Sequence, residues 1–137
     1  MTDLVFVDSN LILYVLDRRD PARSERAKKA LLEIAKDRSG VVSTQVVNEV
    51  ANVCTSKLRM SAIEVANALA VFRSFALVQH SLEMTVAALK IREDHRLNFW
   101  DALIIASAAS AGCKTLYTGD LNSGQTIAGV KVVDPFA

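Results

Sequence analysis

The chain is short of the residues that staple or rigidify small folds: two cysteines, two prolines, one tryptophan and 6% aromatics among 137 residues. Two cysteines, Cys54 and Cys113, cannot build a disulfide framework. A chain of this length buries roughly 68–70% of its unfolded surface, so it needs neither disulfides nor a structural metal for stability. Both cysteines therefore read as small core residues in a reducing, cytoplasmic setting.

Charge of one sign is missing too. Sixteen Lys and Arg against fifteen Asp and Glu leave a net charge of +1, which excludes holding nucleic acid by bulk charge. No long hydrophobic run is present. The longest apolar stretch, from Ala102 to Ala111, is broken by Ser107 and Ser110 and is too short to span a bilayer. The N-terminus carries Asp3 and Asp8 and no base before Arg18, the wrong charge order for a secretory signal. What remains is 51% hydrophobic and 23% charged. That is the balance of one well-filled core, expected as a single domain over residues 1–137.

Leu4-Val5-Phe6-Val7 is a continuous, β-branched apolar run, the pattern of a strand buried on both faces of a parallel sheet. It stops at Asp8-Ser9-Asn10. Asp20-Pro21 reads as an N-cap and first helical residue, with Ala27, Ala30, Leu31 and Ile34 following at helical spacing. A second strand is expected at Val41-Val42-Ser43, with Thr44 capping a helix lined by Val46, Val50, Val53 and Cys54. Ser61 to Glu64 forms a capping box for a helix running to about Phe72. Ala76-Leu77-Val78, Thr115-Leu116-Tyr117 and Val130 to Val133 complete the strands. Ser81 and Asn98 cap the remaining helices, the last ending at Gly112, where a left-handed cap is common. Short strands alternate with helices and no hairpin signal joins consecutive strands. The expected fold is a three-layer α/β/α sandwich around a mostly parallel sheet of four to five strands.

In such sheets ligands bind beyond the carboxyl ends of the strands. Four acids fall there. Asp8 follows the first strand and Asp120 follows Thr115 to Tyr117; taken alone, Asp8 reads more readily as an N-cap than as a catalyst, and Asp120 as a turn residue. Asp101 sits at the third helical position after Asn98, on one face with Ile104, Ile105 and Ala108. Glu49 lies beside Val46, Val50 and Val53, with Gln45 and Asn52 as helical neighbours. Burying an unpaired carboxylate costs several kcal/mol, so inward-facing acids need hydrogen bonds, cations or a metal. Carboxylates brought together repel unless cations intervene. Hard oxygen donors suit Mg²⁺, or Mn²⁺, bound together with substrate phosphate.

The chain resembles the PIN-domain nucleases, and within them the VapC-type toxins of prokaryotic toxin–antitoxin pairs. The carriers are Val7-Asp8-Ser9-Asn10, Asn48-Glu49, Phe99-Trp100-Asp101-Ala102-Leu103-Ile104 and Tyr117-Thr118-Gly119-Asp120-Leu121, in that order along the whole chain. The resemblance implies a metal site on Asp8, Glu49, Asp101 and Asp120, with Thr118 helping to place ligand or phosphate. It implies metal-dependent endoribonuclease activity: Mg²⁺ on Asp8 and Asp101 activates water, and Glu49 and Asp120 position that water or a second ion. Products then carry 5′-phosphate and 3′-hydroxyl ends. Gly119 stands where many relatives have a second acid and Asn98 where they have Ser, which leaves one bound ion or two open. A homodimer and an antitoxin are the implied partners.

RNA grip is expected from Asn10, Arg18 and Arg19; the segment from Arg18 to Arg38 holds eight bases against four acids. A solvated helix with pairs such as Glu25–Lys29 accounts for that segment equally. Lys57 and Arg59 are further phosphate candidates. With aromatics scarce, base stacking is not the expected main grip, and Trp100 reads as core. His80 and His95 lack zinc-ligand neighbours and read as surface or capping residues. The helix after Ser61 is apolar on more than one face, as a partner surface or a buried helix would be. Two other classes compete with the nuclease: a catalytically silent PIN-like binding module, and a signalling phosphoacceptor domain. The latter calls for paired acids after the first strand and a Lys after the last, whereas Ser9 follows Asp8 and Asp134-Pro135 ends the chain's final strand.

Overall fold

A computed structural model describes residues 3–136. Six strands form one sheet: β1 (Val5–Val7), β2 (Gly40–Ser43), β3 (Ala76–Val78), β4 (Thr115–Tyr117), β5 (Thr126–Ile127) and β6 (Val130–Val133). The helices are α1 (Ser9–Leu16), α2 (Pro21–Asp37), α3 (Thr44–Ser56), α4 (Ala62–Leu69), α5 (Leu82–His95) and α6 (Phe99–Ser110). A 3-10 segment, Ala70–Ser74, follows α4, so the helix expected as far as Phe72 tightens at its end.

The strand order is β3-β2-β1-β4-β6-β5. All pairings are parallel except that of β5 with β6. β5 exceeds the expected four to five strands. It is two residues long and turns back through Ala128 and Gly129, both at positive φ. A hairpin this short carries no alternating pattern for a sequence reading to find.

Alternate residues of a strand face opposite sides of a sheet. All four residues of β2 are buried, so helices cover both faces there. α6 is buried from Ala102 through Ala108, seven consecutive residues, which makes it an interior helix apolar on every side. It ends as expected at Gly112 (φ 77°), where Gly112 N donates to Ala109 O and Cys113 N to Ala108 O. Those two bonds satisfy carbonyls that the helix end leaves open. Cys54 and Cys113 are buried free thiols. Among the described residues no helix is long and apolar enough to cross a membrane.

One cap differs in detail from expectation. Ser43, the last residue of β2, caps α3 through Val46 N, and Thr44 is already helical. α2 and α5 end on Arg38 and Arg96 in the left-handed region, φ 54° and 55°, positions that glycine occupies more cheaply. Gly40 is indispensable for a different reason. A Cβ there would lie 2.5 Å from Phe75 Cε2 and 2.8 Å from Ile34 Cγ2, inside a packed layer. Gly40→Ala is expected to cost about 1–3 kcal/mol in urea unfolding, the usual penalty for overpacking.

Candidate active site

β1 lies between β2 and β4, and the chain runs outward from β1 to β2 and β3 before returning to β4 on the other side. This reversal opens a crevice at the carboxyl ends of β1 and β4. Asp8 leaves the end of β1 and Asp120 lies three residues beyond the end of β4. Glu49 enters from the second turn of α3, and Asp101 from the first turn of α6.

Asp8 is only 5% exposed. Its Oδ1 accepts from Ser9 N at 2.7 Å, capping α1, and its Oδ2 accepts from the Thr118 hydroxyl at 2.9 Å. The cap and the candidate site residue are thus one side chain. Burial pushes its carboxyl up to about 6, against the pull of those two hydrogen bonds, and the charges of Asp120 and Glu49 add to the rise. Asp101, half-buried, is also raised, first by burial and then by Asp120 and Glu49; the hydrogen bond from Asn98 opposes this. Asp120 and Glu49 are therefore within electrostatic reach of both Asp8 and Asp101. No Lys or Arg relieves them: the salt bridges among the described residues are Arg19–Asp17 and Lys90–Asp94.

Hydroxyl and amide groups knit the acids together. The Ser9 hydroxyl donates to Glu49 Oε2 at 2.9 Å and lies 3.5 Å from Asp8 Oδ1. Gln45 Nε2 donates to Glu49 Oε1 at 2.9 Å and to the Trp100 carbonyl at 3.4 Å. Gln45 Oε1 is buried with no partner among the described residues. Asn98 caps α6 through Asp101 N at 2.9 Å and donates its amide to Asp101 Oδ2 at 2.8 Å. Ser9 and Gln45 were not singled out as site residues from the sequence. Ser9 immediately follows Asp8, and Gln45 precedes Glu49 by one helical turn, the spacing that could have flagged it.

Thr118 and Asn10 have a different place from the one expected of them. Thr118 is fully buried. Its hydroxyl donates to Asp8 and accepts from Asn10 Nδ2 at 3.3 Å and Asp120 N at 3.2 Å. Asn10, 8% exposed, also accepts from Gly119 N at 3.3 Å. Both therefore hold the acid-bearing loops together instead of facing solvent. Arg18 and Arg19 are exposed; Arg19 pairs with Asp17 at 2.6 Å and holds that carboxyl down to about 2. Arg19 and Lys57 line a shallow depression with Asn10, whereas Arg18 lines a separate one with Val15, Pro21 and Lys28. The expected Glu25–Lys29 pair is absent from the salt bridges of the described residues; Arg26, Lys28 and Lys29 are exposed, whereas Arg23 stacks over the Tyr14 ring at 4.0 Å.

Trp100 corrects the sequence reading outright: it is 61% exposed. Its neighbour Phe99 takes the partly buried place, and the two rings meet edge-to-face at 5.3 Å. Trp100 lines a groove of about 500 Å³ with Gln45, Asn48, Glu49, Asn52 and His80.

The donor set fits a hard divalent ion: carboxylate oxygens only, one of them buried with no cation to balance it. As the side chains stand, no three His, Cys, Asp or Glu groups among the described residues meet around a single point. The four acids thus lie toward the carboxyl ends of the strands, with Asp120 and Glu49 acting on both Asp8 and Asp101, and no three of them converge as ligands in this arrangement.

A mostly parallel sheet with acids toward its carboxyl end, where the strand order reverses, defines an α/β domain with its candidate site at that edge. The chain belongs to the PIN-domain family, whose model matches residues 5–125. PIN domains are generally nucleases and generally use divalent ions, which sets the phosphoacceptor alternative aside. No curated protein matches the sequence significantly. Among solved structures, the chain is similar to a toxin–antitoxin complex from Klebsiella pneumoniae, with 22% identity, a TM-score of 0.73 and coverage of 96% of this chain and 97% of that one. VapC20 of Mycobacterium tuberculosis, described as a toxin cleaving the sarcin–ricin loop, gives 22% identity, a TM-score of 0.65 and coverage of 85% and 91%. VapBC2 from Rickettsia felis, bound to a DNA fragment from its promoter, gives 18% identity, a TM-score of 0.67 and coverage of 94% and 96%. At these identities the likeness is one of fold.

Proposed function

We propose that the protein is a metal-dependent endoribonuclease, the toxin of a type II toxin–antitoxin pair. One observation carries the reading: Asp8 is buried beyond the end of β1 with the charges of Asp120 and Glu49 raising its carboxyl, and no salt bridge among the described residues answers these acids. Ionising a buried carboxylate with no cation beside it is costly even with two hydrogen bonds, and a bound cation would offset that cost.

Asp8 and Asp101 would hold Mg²⁺, or Mn²⁺ in its place, and Glu49 and Asp120 lie where they can hold water or a second ion. The ion supplies charge for the scissile phosphate and lowers the pKa of a bound water. The chain's own residues do the rest. Thr118 and Ser9 N keep Asp8 ionised and oriented, Ser9 and Gln45 fix both oxygens of Glu49, and Asn98 fixes Asp101. Arg19 and Lys57 stand beside Asn10 to meet backbone phosphates.

Exposed apolar side chains support a protein partner, as an antitoxin or a second copy. Ile63 on α4 is 75% exposed, and Leu82, Val86 and Leu89 form an exposed stripe on α5. A cytoplasmic location accords with this role.

Incubating a structured RNA with the protein in Mg²⁺ should give discrete fragments with 5′-phosphate and 3′-hydroxyl ends. Excess EDTA should abolish cleavage, and Asp101→Asn should reduce it at least 100-fold, on the order of losing a group that acts only in the transition state. Cleavage unchanged in EDTA, or products with cyclic phosphate ends, would refute the mechanism.

A further inference from the structure

We propose that the groove beside Glu49 is a nucleobase subsite, in which an unpaired base of the substrate RNA stacks on Trp100. The inference rests on the ribonuclease reading and adds to it what the enzyme grips: single-stranded or looped RNA, whose bases are free to leave the stack.

The chemistry of the groove selects a base over a phosphate. Its lining is amide and aromatic, from Gln45, Asn48, Asn52, His80 and Trp100, with Glu49 at the acid cluster and no Lys or Arg. Amide side chains offer donors and acceptors to the edge of any base. A phosphate would instead meet the charge of Glu49 with no fixed cation beside it. The side chains suited to phosphate, Arg19 and Lys57, line the separate depression that contains Asn10. The volume of about 500 Å³ is that of a small-ligand site.

Trp100 is built as a shelf. Phe99 meets it at an interplanar angle of 79°. In either sense of an edge-to-face pair, at least one indole face stays free of Phe99. Gln45 ties the backbone carbonyl of Trp100 to Glu49, so shelf and acid are joined by one side chain. A nucleotide seated there lies directly against the acid cluster. The exposed apolar side chains suited to a protein partner, Leu82, Val86 and Leu89, run along α5.

Trp100 is the only tryptophan, so its intrinsic fluorescence reports on the subsite alone. The probe is a single-stranded octaribonucleotide of mixed sequence, titrated in EDTA to prevent cleavage, with an abasic ribose-phosphate octamer as control. Saturable quenching by the first and none by the second is the expected result. Trp100→Ala should weaken octamer binding about 5- to 100-fold, the range for loss of one stacked base, and Trp100→Tyr should restore most of it. Equal quenching by the abasic octamer, or unchanged affinity in Trp100→Ala, overturns the subsite. So does a fluorescence change that follows protein concentration without RNA, because the ring is then covered by a second copy. The two readings fail separately. Base-dependent quenching without Mg²⁺-dependent cleavage keeps the subsite and removes the nuclease, whereas cleavage that persists in Trp100→Ala without quenching in the wild type removes the subsite alone.

Discussion

Asp8→Asn is expected to abolish RNA cleavage and at the same time to make the metal-free protein more stable at pH 7. The two effects share one cause. The folded protein holds the Asp8 proton up to about pH 6, whereas the unfolded chain releases it near 3.8. Stability from this site is therefore complete below about pH 4 and is lost as pH rises through 6, because ionisation must then occur in a desolvated place. A difference of about two pKa units corresponds to about 3 kcal/mol by linkage. Asparagine removes that loss but cannot accept the Thr118 hydroxyl as the carboxylate does, which costs about 1 kcal/mol. A net gain of about 1–2 kcal/mol at neutral pH remains. Urea unfolding in EDTA at pH 4.5 and pH 7 measures it, and the wild type alone should weaken between them. Adding Mg²⁺ should reverse the ranking, since an ion that binds only the folded wild type stabilises it by mass action. An Asp8→Asn protein no more stable than wild type at pH 7 in EDTA would show that burial is not what raises this carboxyl.

Thr118→Val should have the largest effect on folding of any single change at the site. Valine preserves the shape and removes the hydroxyl that serves three partners: Asp8 Oδ2, Asn10 Nδ2 and Asp120 N. Asp8 and Asn10 are both buried, so water does not replace the lost bonds freely. Leaving two such groups unsatisfied costs roughly 3–4 kcal/mol in all. The Thr118 bond also lowers the Asp8 carboxyl, so its loss raises that carboxyl further. A carbon-detected carboxyl titration in EDTA should follow Asp8 upward in the variant, while Thr118→Ser, which keeps the hydroxyl, should leave both titration and stability near wild type. A valine variant as stable as wild type would mean that the loops bearing Asp8 and Asp120 are held by something else.

Much of the architecture was legible because its signals are local. The caps Asp20, Ser61, Ser81 and Asn98 each act within three residues, and each caps its helix as the sequence indicates. The apolar runs of β1, β2, β4 and β6 mark buried strands for the same reason. The acids were legible as residues at strand ends and early helical turns. Exposure was not. Phe99 and Trp100 are adjacent aromatics in the first turn of α6, and the direction of the helix alone puts one against the core and the other in water. β5 escaped notice because two residues display no period.

The order of strands and helices, the capped helix starts and the location of acids at the carboxyl ends of strands follow from side-chain patterning along the chain, since each depends on neighbours a few residues away. Packing decided which oxygen meets which donor. Ser9 reaches Glu49 across 40 residues and Thr118 reaches Asp8 across 110. Bonds that close loops of this length exist only once the core has brought β1 between β2 and β4, because the entropy of closing those loops is met by the whole fold and not by the hydrogen bonds themselves.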